Sequence, residues 1–411
     1  MNRRYDALII GAGPAGSTAA LLLARAGWQV GIVEKESFPR RKVCGEFVSA
    51  TTWPLLNAMG IGTALQAIAG PAVQRVGAYV GDRVVTARLP APPAAVDFPG
   101  CALGREHLDA ALLKRAIDAG AELWQPWTLD AFESGVGDAR CAIVARGSRR
   151  AMTLRCSVVI AAHGAWESGP LPTQASHARP RDRDLLGFKA HFRNGALPAD
   201  LMPLIAFPGG YGGLVNSGDG RLSLSCCVRR DALTAIRARH PRLRAGDTVL
   251  AHIAATCAGA GAALAGATLD GAWLAAGPLR TGIRSFGTDR IIAVGNAAAE
   301  AHPIVAEGIS MAIQSAHLAC SELLACGRIN PGDIELNAVR RRYERAWRRN
   351  FSVRLHAAAC FAHLFMRPAS AAITIRALQG FPSLLKLGAH WSGKNSTLRA
   401  TRPLIAADIF Q

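Results

Sequence analysis

The chain has 411 residues, half of them hydrophobic, and its 47 Lys and Arg against 29 Asp and Glu give a net charge of +18. This length suits two or three domains with sizeable cores and excludes a small single-core module. Arginine-rich runs at 179–184, 237–244 and 340–350 are typical of solvated faces, or of a surface for an acidic partner such as a carrier protein or an anionic membrane. No nucleic-acid recognition motif accompanies the charge, so nucleic acid is not an expected partner.

Cysteine usage and hydropathy favour a cytoplasmic protein. The ten cysteines form no C-x-x-C pair and no metal-type spacing, which predicts reduced thiols and no metal site. No apolar leader with a cleavage site opens the chain. The most apolar long window, residues 249–269, is mostly Ala and Gly, so we expect a buried or surface-packed helix there rather than a membrane span. Peripheral contact with the inner membrane face stays open.

The first 34 residues contain a glycine motif in a strand–helix–strand setting. An apolar strand at 7–10 runs into Gly11, Gly13 and Gly16, a helical stretch follows, and a second strand ends at Glu34. The first glycine makes the tight turn, the second lets backbone approach a pyrophosphate, and the third lets helix and strand pack closely. The helix N-terminus offers unpaired N–H groups to the phosphates. Glu34 is placed to meet a ribose hydroxyl and disfavours a 2′-phosphate, which predicts FAD or NAD rather than NADP.

Later segments decide between FAD and NAD. Residues 154–164 read as a second buried strand that ends in a small-residue turn, and residues 291–296 read as a third. Residues 101–123 predict an amphipathic helix that Arg105 opens. A dehydrogenase that binds a single nicotinamide would not need cofactor-type turns so far apart in the chain. The separation therefore favours FAD.

These motifs resemble a known family, the FAD-dependent enzymes of the para-hydroxybenzoate hydroxylase type, which includes aromatic-ring monooxygenases, geranylgeranyl reductases and flavin-dependent halogenases. The resemblance covers about residues 1–330. It rests on the glycine motif and on the stretches 38–46 (FPRRKVCGE), 104–109 (GREHLD), 207–215 (FPGGYGGLV) and 294–316. The stretches at 38–46 and 207–215 look more like the geranylgeranyl reductase branch than the hydroxylases.

The resemblance implies an α/β fold: a discontinuous Rossmann-like FAD-binding domain of the GR2 type, an inserted β-sheet substrate domain and a C-terminal helical segment. The expected boundaries are FAD-binding parts at 1–71, 100–165 and 281–330, strands added to the substrate sheet at 72–99, the substrate domain at 166–280 and the helical region at 331–411.

The resemblance also assigns residues to the cofactor. Arg105 is expected at the FAD phosphates, the Gly295-Asn296 turn at the ribityl chain, and the N-terminus of a helix near Gly308 at the flavin edge that gains negative charge on reduction. Together with the glycine motif, the expected FAD contacts are Gly11, Gly13, Pro14, Ala15, Gly16, Glu34, Lys35, Arg41, Cys44, Gly45, Arg105, Gly295, Asn296, Pro303, Glu307, Gly308 and Ile309.

Several positions depart from the family pattern. Asn296 stands where a carboxylate is expected, which predicts weaker ribityl binding. His163-Gly164 replaces an Asp-Gly turn that serves FAD and NADPH together, so NAD(P)H as electron donor stays open, with a separate reductase or ferredoxin as the alternative. Ala306 replaces the first glycine of a P-x-x-G-x-G turn, which predicts a negative φ there. No W-x-W-x-I-P segment occurs, which argues against a halogenase.

Cys44, Glu46 and His302 are the candidate catalytic residues. In the geranylgeranyl reductase branch a cysteine at the place of Cys44 lies near the flavin and assists proton delivery, and Glu46 beside it would tune the thiol. A small residue packed under the flavin is the alternative for Cys44. His302 is either a proton donor or a hydrogen-bonding residue that shapes the turn over the flavin, and the second reading is favoured.

Strand-like pieces at 72–98 and 185–228 predict a sheet across the reactive face of the flavin. The pieces are apolar, so the substrate pocket is expected to be hydrophobic. Sequence alternation places Lys189 and His191 on one face of a strand, and solvent is favoured over the flavin as what that face meets. The candidates for lining the pocket, with core packing as the alternative for each, are Phe188, Lys189, His191, Phe207 and Tyr211.

The chain is predicted to be helical after residue 332, first strongly basic and then apolar at 355–366. Such a pair either caps the substrate domain or lies on a membrane surface with arginines toward anionic headgroups, and capping is favoured.

The predicted function is an FAD-dependent oxidoreductase that acts on a hydrophobic small molecule. A monooxygenase that hydroxylates an aromatic, polyketide or lipid-like substrate is the first choice. The alternatives are a reductase of C=C bonds in a prenyl or polyketide chain, and a non-catalytic flavin-binding scaffold or redox sensor, which the altered residues at 163, 296 and 306 motivate. An acidic carrier protein or a separate reductase is a further expected partner.

Overall fold

The computed structural model of the chain describes residues 3–91, 96–165, 167–174, 179–327, 330–394 and 398. The strands in these ranges are β1 (Arg3–Ile10), β2 (Val30–Val33), β3 (Phe47–Val48), β4 (Arg75–Val80), β5 (Arg83–Arg88), β6 (Cys101–Ala102), β7 (Glu122–Trp124), β8 (Trp127–Ser134), β9 (Ala139–Ala145), β10 (Ala151–Ala161), β11 (Leu185–Arg193), β12 (Leu201–Phe207), β13 (Gly210–Ser217), β14 (Arg221–Arg229), β15 (Thr268–Leu279), β16 (Gly282–Ile283), β17 (Ile291–Ala293) and β18 (Ala299–Glu300). The α-helices are α1 (Pro14–Arg25), α2 (Trp53–Ala58), α3 (Gly62–Gln66), α4 (Arg105–Asp118), α5 (Arg230–Arg239), α6 (Ala245–Thr256), α7 (Ala258–Ala263), α8 (Gly308–Leu324), α9 (Asp333–Met366), α10 (Pro368–Gly380) and α11 (Ser383–Trp391).

The first large sheet has seven strands in the order β7-β2-β1-β10-β9-β8, with β17 beside β10. Its β7, β2, β1, β10 and β17 run parallel, whereas β9 and β8 continue the sheet as antiparallel strands. Helices α1, α4 and α8 pack against one another beside it. The parallel strands are nearly continuous apolar runs, as strands covered on both faces require.

The register of the parallel strands brings three turns to one edge. Ile10 of β1 pairs with Ala161 of β10, and Ala161 pairs with Ala293 of β17, so the three strands end at the same level. The segments that follow them leave the sheet side by side. Ligand sites in open α/β sheets lie at such carboxyl ends.

The second sheet has the order β15-β11-β14-β13-β12-β4-β5 and is antiparallel except where β12 pairs with β4. Alternate side chains of its strands enter two different cores. On one face Phe188 and Phe207 pack against α5, α6 and α7, which include most of the Ala-rich window at 249–269. On the other face Ala206 packs against Phe365 and Ile375 of the C-terminal helices.

The C-terminal helices α9, α10 and α11 cover this second face of the sheet. Helix α9 packs against α8 and reaches β12 and β13, while α10 and α11 contact β5. None of the described helices alone is long and apolar enough to cross a membrane; α9 and α10 together pass that test by length and composition, but a bend of 109° separates them. These layers confirm the predicted α/β class with two sheets and a helical C-terminal segment, while the six domain boundaries stay predictions.

Candidate functional site

A single cavity of about 940 Å³ extends from the turn after β1 to the turn after β17. The two turns are in contact, because a Cβ added to Gly295 would lie 2.9 Å from the Cβ of Ala15. The expected cofactor contacts that line the cavity are Gly11, Gly13, Pro14, Ala15, Glu34, Lys35, Cys44, Gly45, Arg105, Gly295, Asn296, Pro303, Gly308 and Ile309.

The three glycines of the first turn have different reasons to be glycine. Gly11 has a φ of +102°, and a Cβ there would lie 2.6 Å from the carbonyl oxygen of Ala162. A Cβ at Gly16 would lie 1.8 Å from the carbonyl oxygen of Gly11, so Gly16 closes the turn on itself and does not line the cavity. A Cβ at Gly13 would meet only Nη2 of Arg105, at 3.8 Å. Gly13 therefore keeps free a space inside the cavity, beside the N-terminus of α1.

Glu34 follows β2 and is buried beside the glycine turn. Its carboxylate accepts hydrogen bonds from the backbone N–H groups of Ala12 at 2.8 Å and Glu36 at 2.9 Å, and it pairs with Arg40 at 3.2 Å. These bonds hold the carboxylate at the cavity wall, where the sequence places the adenosine ribose.

Three cations line the cavity near Gly13: Arg40, Lys42 and Arg105. Arg105 is held by a two-point ion pair with the fully buried Asp109, with N–O distances of 2.6 and 2.7 Å. Burial lowers the pKa of Lys42 to about 8, and repulsion from Arg40 and Arg105 adds to that shift. A site that crowds cations in this way favours an anionic ligand such as a pyrophosphate.

The expectation that Arg41 contacts the cofactor is corrected by the direction of its side chain. Arg40 and Lys42 line the cavity, whereas Arg41 points toward the second sheet and its Nη2 lies 2.6 Å from Nδ1 of His191. The run of three basic residues at 40–42 indicates a cationic site, but the sequence does not show which of the three side chains point into the cavity.

The turn after β17 holds Asn296 beside a buried acid. Gly295 has a φ of +59°, and its N–H donates to the Ser315 hydroxyl at 2.7 Å. Nδ2 of Asn296 donates to Oε1 of Glu300 at 3.1 Å, and Arg284 pairs with the other oxygen of Glu300 at 3.0 Å. Burial raises the pKa of Glu300, although Arg284 opposes that shift. The side chain of residue 296 is therefore a donor to an existing carboxylate, a role that Asp cannot fill when ionised.

The turn at 303–308 corrects the expectation of a negative φ at Ala306. Ala306 is left-handed, with a φ of +54°, and its N–H still donates to the Pro303 carbonyl at 2.9 Å. Glu307 lies below the turn rather than in the cavity wall, where it pairs with the buried Lys394 at 3.3 Å; Lys394 also donates to the Val305 carbonyl at 2.9 Å. These contacts hold the backbone in a conformation that alanine rarely adopts. Helix α8 begins at Gly308, as predicted.

The cavity wall fits FAD at both ends. At one end Gly13 leaves room beside the cations Lys42 and Arg105 and the N-terminus of α1, which suits a pyrophosphate. At the other end the N-terminus of α8 at Gly308 lies in the wall and favours the charge of a reduced flavin ring.

Glu46 is the centre of a buried charge cluster between the two sheets. It is fully buried, has a left-handed φ of +61°, and forms ion pairs with Lys189 and, at 2.8 Å, with Nε2 of His191. Burial alone would raise its pKa, but the hydrogen bond from His191 and the charge of Lys189 outweigh burial and lower the pKa to about 2. The favoured solvent-facing position of Lys189 and His191 was therefore wrong: both are buried.

Cys44 is half-buried at the cavity wall, two residues before Glu46. Its Sγ accepts a hydrogen bond from the Glu46 backbone N–H at 3.4 Å and also bonds with the Arg105 side chain. The Cys44 carbonyl accepts a hydrogen bond from the Ser225 hydroxyl of β14 at 2.7 Å. The Glu46 N–H and Arg105 thus orient the thiol, and Ser225 of the second sheet holds the Cys44 backbone.

Tyr211 and His302 form a hydrogen-bonded pair in the wall of the cavity. The Tyr211 hydroxyl lies 3.2 Å from Nδ1 of His302, and the Thr281 hydroxyl lies 3.0 Å from Nε2 of the same ring. Burial raises the pKa of Tyr211 well above its usual value. Burial, and then the nearby ring of the exposed His363, lowers the pKa of His302 to about 4. At neutral pH the phenol is therefore protonated and the imidazole is neutral.

Of the five predicted substrate contacts, only Tyr211 lines the cavity. Phe188 and Phe207 belong to the core between the second sheet and helices α5 to α7, on the far face of the sheet. Lys189 and His191 face Glu46. The remaining apolar wall comes largely from residues that the sequence did not single out: Val76, Met202, Leu204, Phe361, Leu364, Phe365, Leu378, Leu384, Leu385, Leu387 and Trp391.

The comparison with protein families bears on the N-terminal part of the chain. Residues 4–176 match the model of the FAD binding domain family. FAD is thereby confirmed as the cofactor, in agreement with the cavity.

Curated relatives support the same class of oxidoreductase. Menaquinone reductase of Mycolicibacterium smegmatis is 30% identical over 166 residues, which are 40% of this chain and 39% of that protein. Digeranylgeranylglycerophospholipid reductase 2 of Methanothermobacter thermautotrophicus is 25% identical over 382 residues, 86% of this chain and 85% of that protein. The first match therefore spans about two fifths of its relative.

Solved structures of several enzymes share the fold. A p-nitrophenol 4-monooxygenase of Pseudomonas putida has a TM-score of 0.77 at 16% identity, with 98% of this chain and 100% of that chain covered. The myxobacterial chondrochloren halogenase has a TM-score of 0.72 at 20% identity, with 99% and 95% covered. At such identities the likeness shows the fold alone. Monooxygenases and halogenases share this fold, so the fold does not exclude halogenation. The missing W-x-W-x-I-P segment argues against it.

Gly13→Val is expected to fold normally and to lose FAD, because its side chain enters the cavity space that the pyrophosphate needs. Gly16→Val is the matched control and is expected to lose stability and cofactor together, because its Cβ meets the Gly11 carbonyl oxygen at 1.8 Å. The measurements are flavin absorbance per protein after incubation with FAD, and the melting temperature. Wild-type FAD content in the Gly13→Val protein would contradict the pyrophosphate assignment.

Glu46→Gln is expected to lower the free energy of unfolding by about 3–5 kcal/mol at neutral pH, because it leaves the buried ammonium group of Lys189 without its counter-charge. The folded-state pKa of Glu46 is depressed from 4.5 to about 2, so its stabilisation is present above pH 4.5 and is lost as the pH falls toward 2. Urea unfolding of both proteins at pH 7 and pH 3 should show the difference shrinking in acid. Glu36→Gln, which breaks a pair at the surface with Arg146, should cost less than about 1 kcal/mol. A constant difference across this pH range is the result that would contradict the assignment.

Proposed function

We propose that this protein is an FAD-dependent reductase that saturates a carbon–carbon double bond of an apolar, chain-shaped molecule. The observation that carries the proposal is the hydrogen-bonded pair of Tyr211 and His302 in the wall of an otherwise apolar cavity. Reduction of a double bond needs a hydride and a proton. When bound and reduced, FAD would supply the hydride.

The cavity wall supports an apolar substrate. From Tyr211 the cavity continues along Met202 and Leu204 of the second sheet and reaches Leu385 and Trp391 of α11. Such a wall offers area for hydrophobic contact and few polar partners, which suits a hydrocarbon chain better than a sugar or a nucleotide.

Tyr211 is the group that would deliver the proton. Its high pKa keeps the hydroxyl protonated at neutral pH, so it can act as a donor to carbon. His302 bridges the phenol to the Thr281 hydroxyl, and the partly exposed Thr281 leads toward solvent. A proton that leaves Tyr211 is replaced by the proton that the neutral ring of His302 holds on Nδ1, and the ring takes up another proton on Nε2 from the side of Thr281. Tyr211 is then protonated again, and exchange of the ring proton with solvent returns His302 from the Nε2–H to the Nδ1–H tautomer.

The relatives support reduction as the reaction type. Both curated proteins described above are named as reductases, and the archaeal one matches most of both chains. Cys44 is a second candidate proton donor in the cavity wall. Its Sγ accepts a hydrogen bond from the Glu46 N–H and is hydrogen-bonded to Arg105, whereas the Tyr211 hydroxyl is hydrogen-bonded to His302, which can replace its proton.

The electron donor proposed here is a separate reductase or ferredoxin. His163 takes the place of the acid in the turn after β10, and burial lowers its pKa to about 4. Its ring is therefore neutral and lies 3.0 Å from the Thr173 hydroxyl, so this turn lacks the carboxylate that serves FAD and NADPH together in the enzymes that the sequence resembles. Rapid bleaching of the flavin by NADPH alone would contradict this part of the proposal.

A second candidate function is hydroxylation with molecular oxygen. The observation in its favour is the fold likeness to p-nitrophenol 4-monooxygenase over the whole of both chains. Oxygen chemistry asks the protein mainly to hold the substrate and exclude water, and the apolar cavity suits that task as well.

The deciding experiment is anaerobic. Protein whose flavin has been reduced with dithionite is mixed with a menaquinone that has an unsaturated side chain, and flavin reoxidation is followed together with the product mass. A reductase yields a side chain with two more hydrogen atoms. In D2O both are deuterium, because the N5 hydrogen of a reduced flavin exchanges with solvent, and they stay on carbon after the quinone ring has been reoxidised in air. Product that contains oxygen, formed only in air, would establish the monooxygenase instead. A flavin that no donor reduces would favour a non-catalytic flavin-binding protein.

Tyr211→Phe is expected to slow anaerobic substrate reduction by about 10²-fold, the usual loss when a general acid is removed, while FAD content stays unchanged. The solvent isotope effect on this step should also change, because proton transfer then comes from another source. Tyr79→Phe is the matched control: Tyr79 is equally buried in the second sheet but belongs to the core on its other face. Equal rates for the two variants would remove Tyr211 from the mechanism.

A further inference from the structure

Helix α11 and the turn before it carry a stripe of exposed apolar side chains. Phe381, Leu384, Leu387 and Trp391 are 41% to 67% exposed. The spacing of Leu384, Leu387 and Trp391 places them on one face of the helix. Single exposed apolar residues are common, but a contiguous row on one helix face marks an interaction surface.

The stripe also borders the mouth of the cavity. Leu384, Leu387 and Trp391 line the cavity wall and are exposed at the surface. A side chain that lines a cavity and is also exposed at the surface lies at the rim of the opening of that cavity. The apolar part of the cavity wall thus continues onto the apolar stripe.

The charge around the stripe has one sign. The segment between Glu344 and Asp408 contains no acidic residue but eight arginines and two lysines. Arg367, Arg376 and Lys386 are exposed, and within the described part of the chain no carboxylate forms a salt bridge with them. Exposed cations beside exposed apolar side chains complement a surface that is apolar beneath and anionic above.

We propose that α10, α11 and the turn between them dock on the surface of an anionic phospholipid bilayer. The apolar stripe enters the boundary between headgroups and acyl chains, and Arg376 and Lys386 contact the lipid phosphates. The cavity mouth then opens toward the lipid phase, so an apolar chain reaches the cavity without crossing water. The docking itself does not depend on which reaction the flavin catalyses.

The test is flotation of the FAD-loaded full chain with vesicles of phosphatidylcholine containing about one third phosphatidylglycerol, and with vesicles of pure phosphatidylcholine. The wild-type protein is expected to float with the anionic vesicles and at least tenfold less with the neutral ones. The variant Ile373→Ser/Phe381→Ser removes two exposed side chains that do not line the cavity, and should lower the partition coefficient at least tenfold. Its FAD content should stay at the wild-type level.

A matched control is Val136→Ser/Ile334→Ser. These two residues are 99% and 85% exposed but lie in the β8–β9 hairpin and at the start of α9, away from the stripe. Partitioning of this control should stay within about twofold of wild type. Arg376→Gln/Lys386→Gln should lose roughly thirtyfold on anionic vesicles, since each cation contributes about 1 kcal/mol near such a surface.

Two results would overturn the proposal. The first is wild-type protein that stays at the bottom of the gradient. In that case the stripe would be covered by something other than lipid, such as a second copy of the chain or its own residues 395–411. The second is equal flotation of the Ile373/Phe381 variant and the Val136/Ile334 control. Because no substrate is present, either result leaves the proposed reduction reaction to be judged separately by the anaerobic assay.

Discussion

The common level at which β1, β10 and β17 end is the constraint on which the rest of the site depends. Because β10 is the central strand of the three, its pairing with both neighbours fixes where the turns at Gly11 and Gly295 emerge. Helix α1 follows the first turn directly, and α8 begins after β18 and a further turn, with its first residue Gly308 also in the cavity wall. The positive ends of two helices therefore point into one cavity. A shift of β17 by one residue would turn its side chains to the opposite faces of the sheet and carry Gly295 away from Ala15. Strand register, set by apolar residues in the core, thereby determines the shape of a polar cofactor site.

The cluster around Glu46 performs the corresponding task between the two layers. Glu46 belongs to the loop that lines the cofactor end of the cavity, while Lys189 and His191 belong to β11 of the second sheet. Their buried ion pairs, with the Ser225–Cys44 hydrogen bond beside them, join the loop to two strands of that sheet. Buried charges are costly to separate, so this joint resists sliding of the sheet relative to the cofactor domain. Lys189 and His191, which do not line the cavity, thus help to fix the position of the second sheet, and with it Tyr211, relative to the cofactor end of the cavity.

The sequence sufficed for those features that depend on local pattern. Glycine spacing, apolar strands and the start of α8 are properties of neighbouring residues, and they appeared where expected. The burial of His191 was missed because its partner Glu46 is 145 positions away in the chain. Arg41 was assigned to the cavity because a loop has no periodicity that tells which side chains turn inward. Ala306 was expected to avoid the left-handed region, yet the distant Lys394 helps to hold its turn there at a cost of about 1–2 kcal/mol.

The Gly295-Asn296 turn shows how a departure from a family pattern is explained by its own surroundings. A carboxylate does occur in this segment, four residues later at Glu300, where it lines the cavity and is held by Arg284. An Asp at residue 296 would place a second, half-buried carboxylate within hydrogen-bonding distance of the first, and two such groups cannot both ionise at low cost. Asn296 avoids that repulsion and donates a hydrogen bond to the acid instead. The segment therefore keeps one carboxylate in the cavity wall, at Glu300 instead of residue 296, and Arg284 holds it there. Asn at residue 296 is thus compatible with a working flavin site.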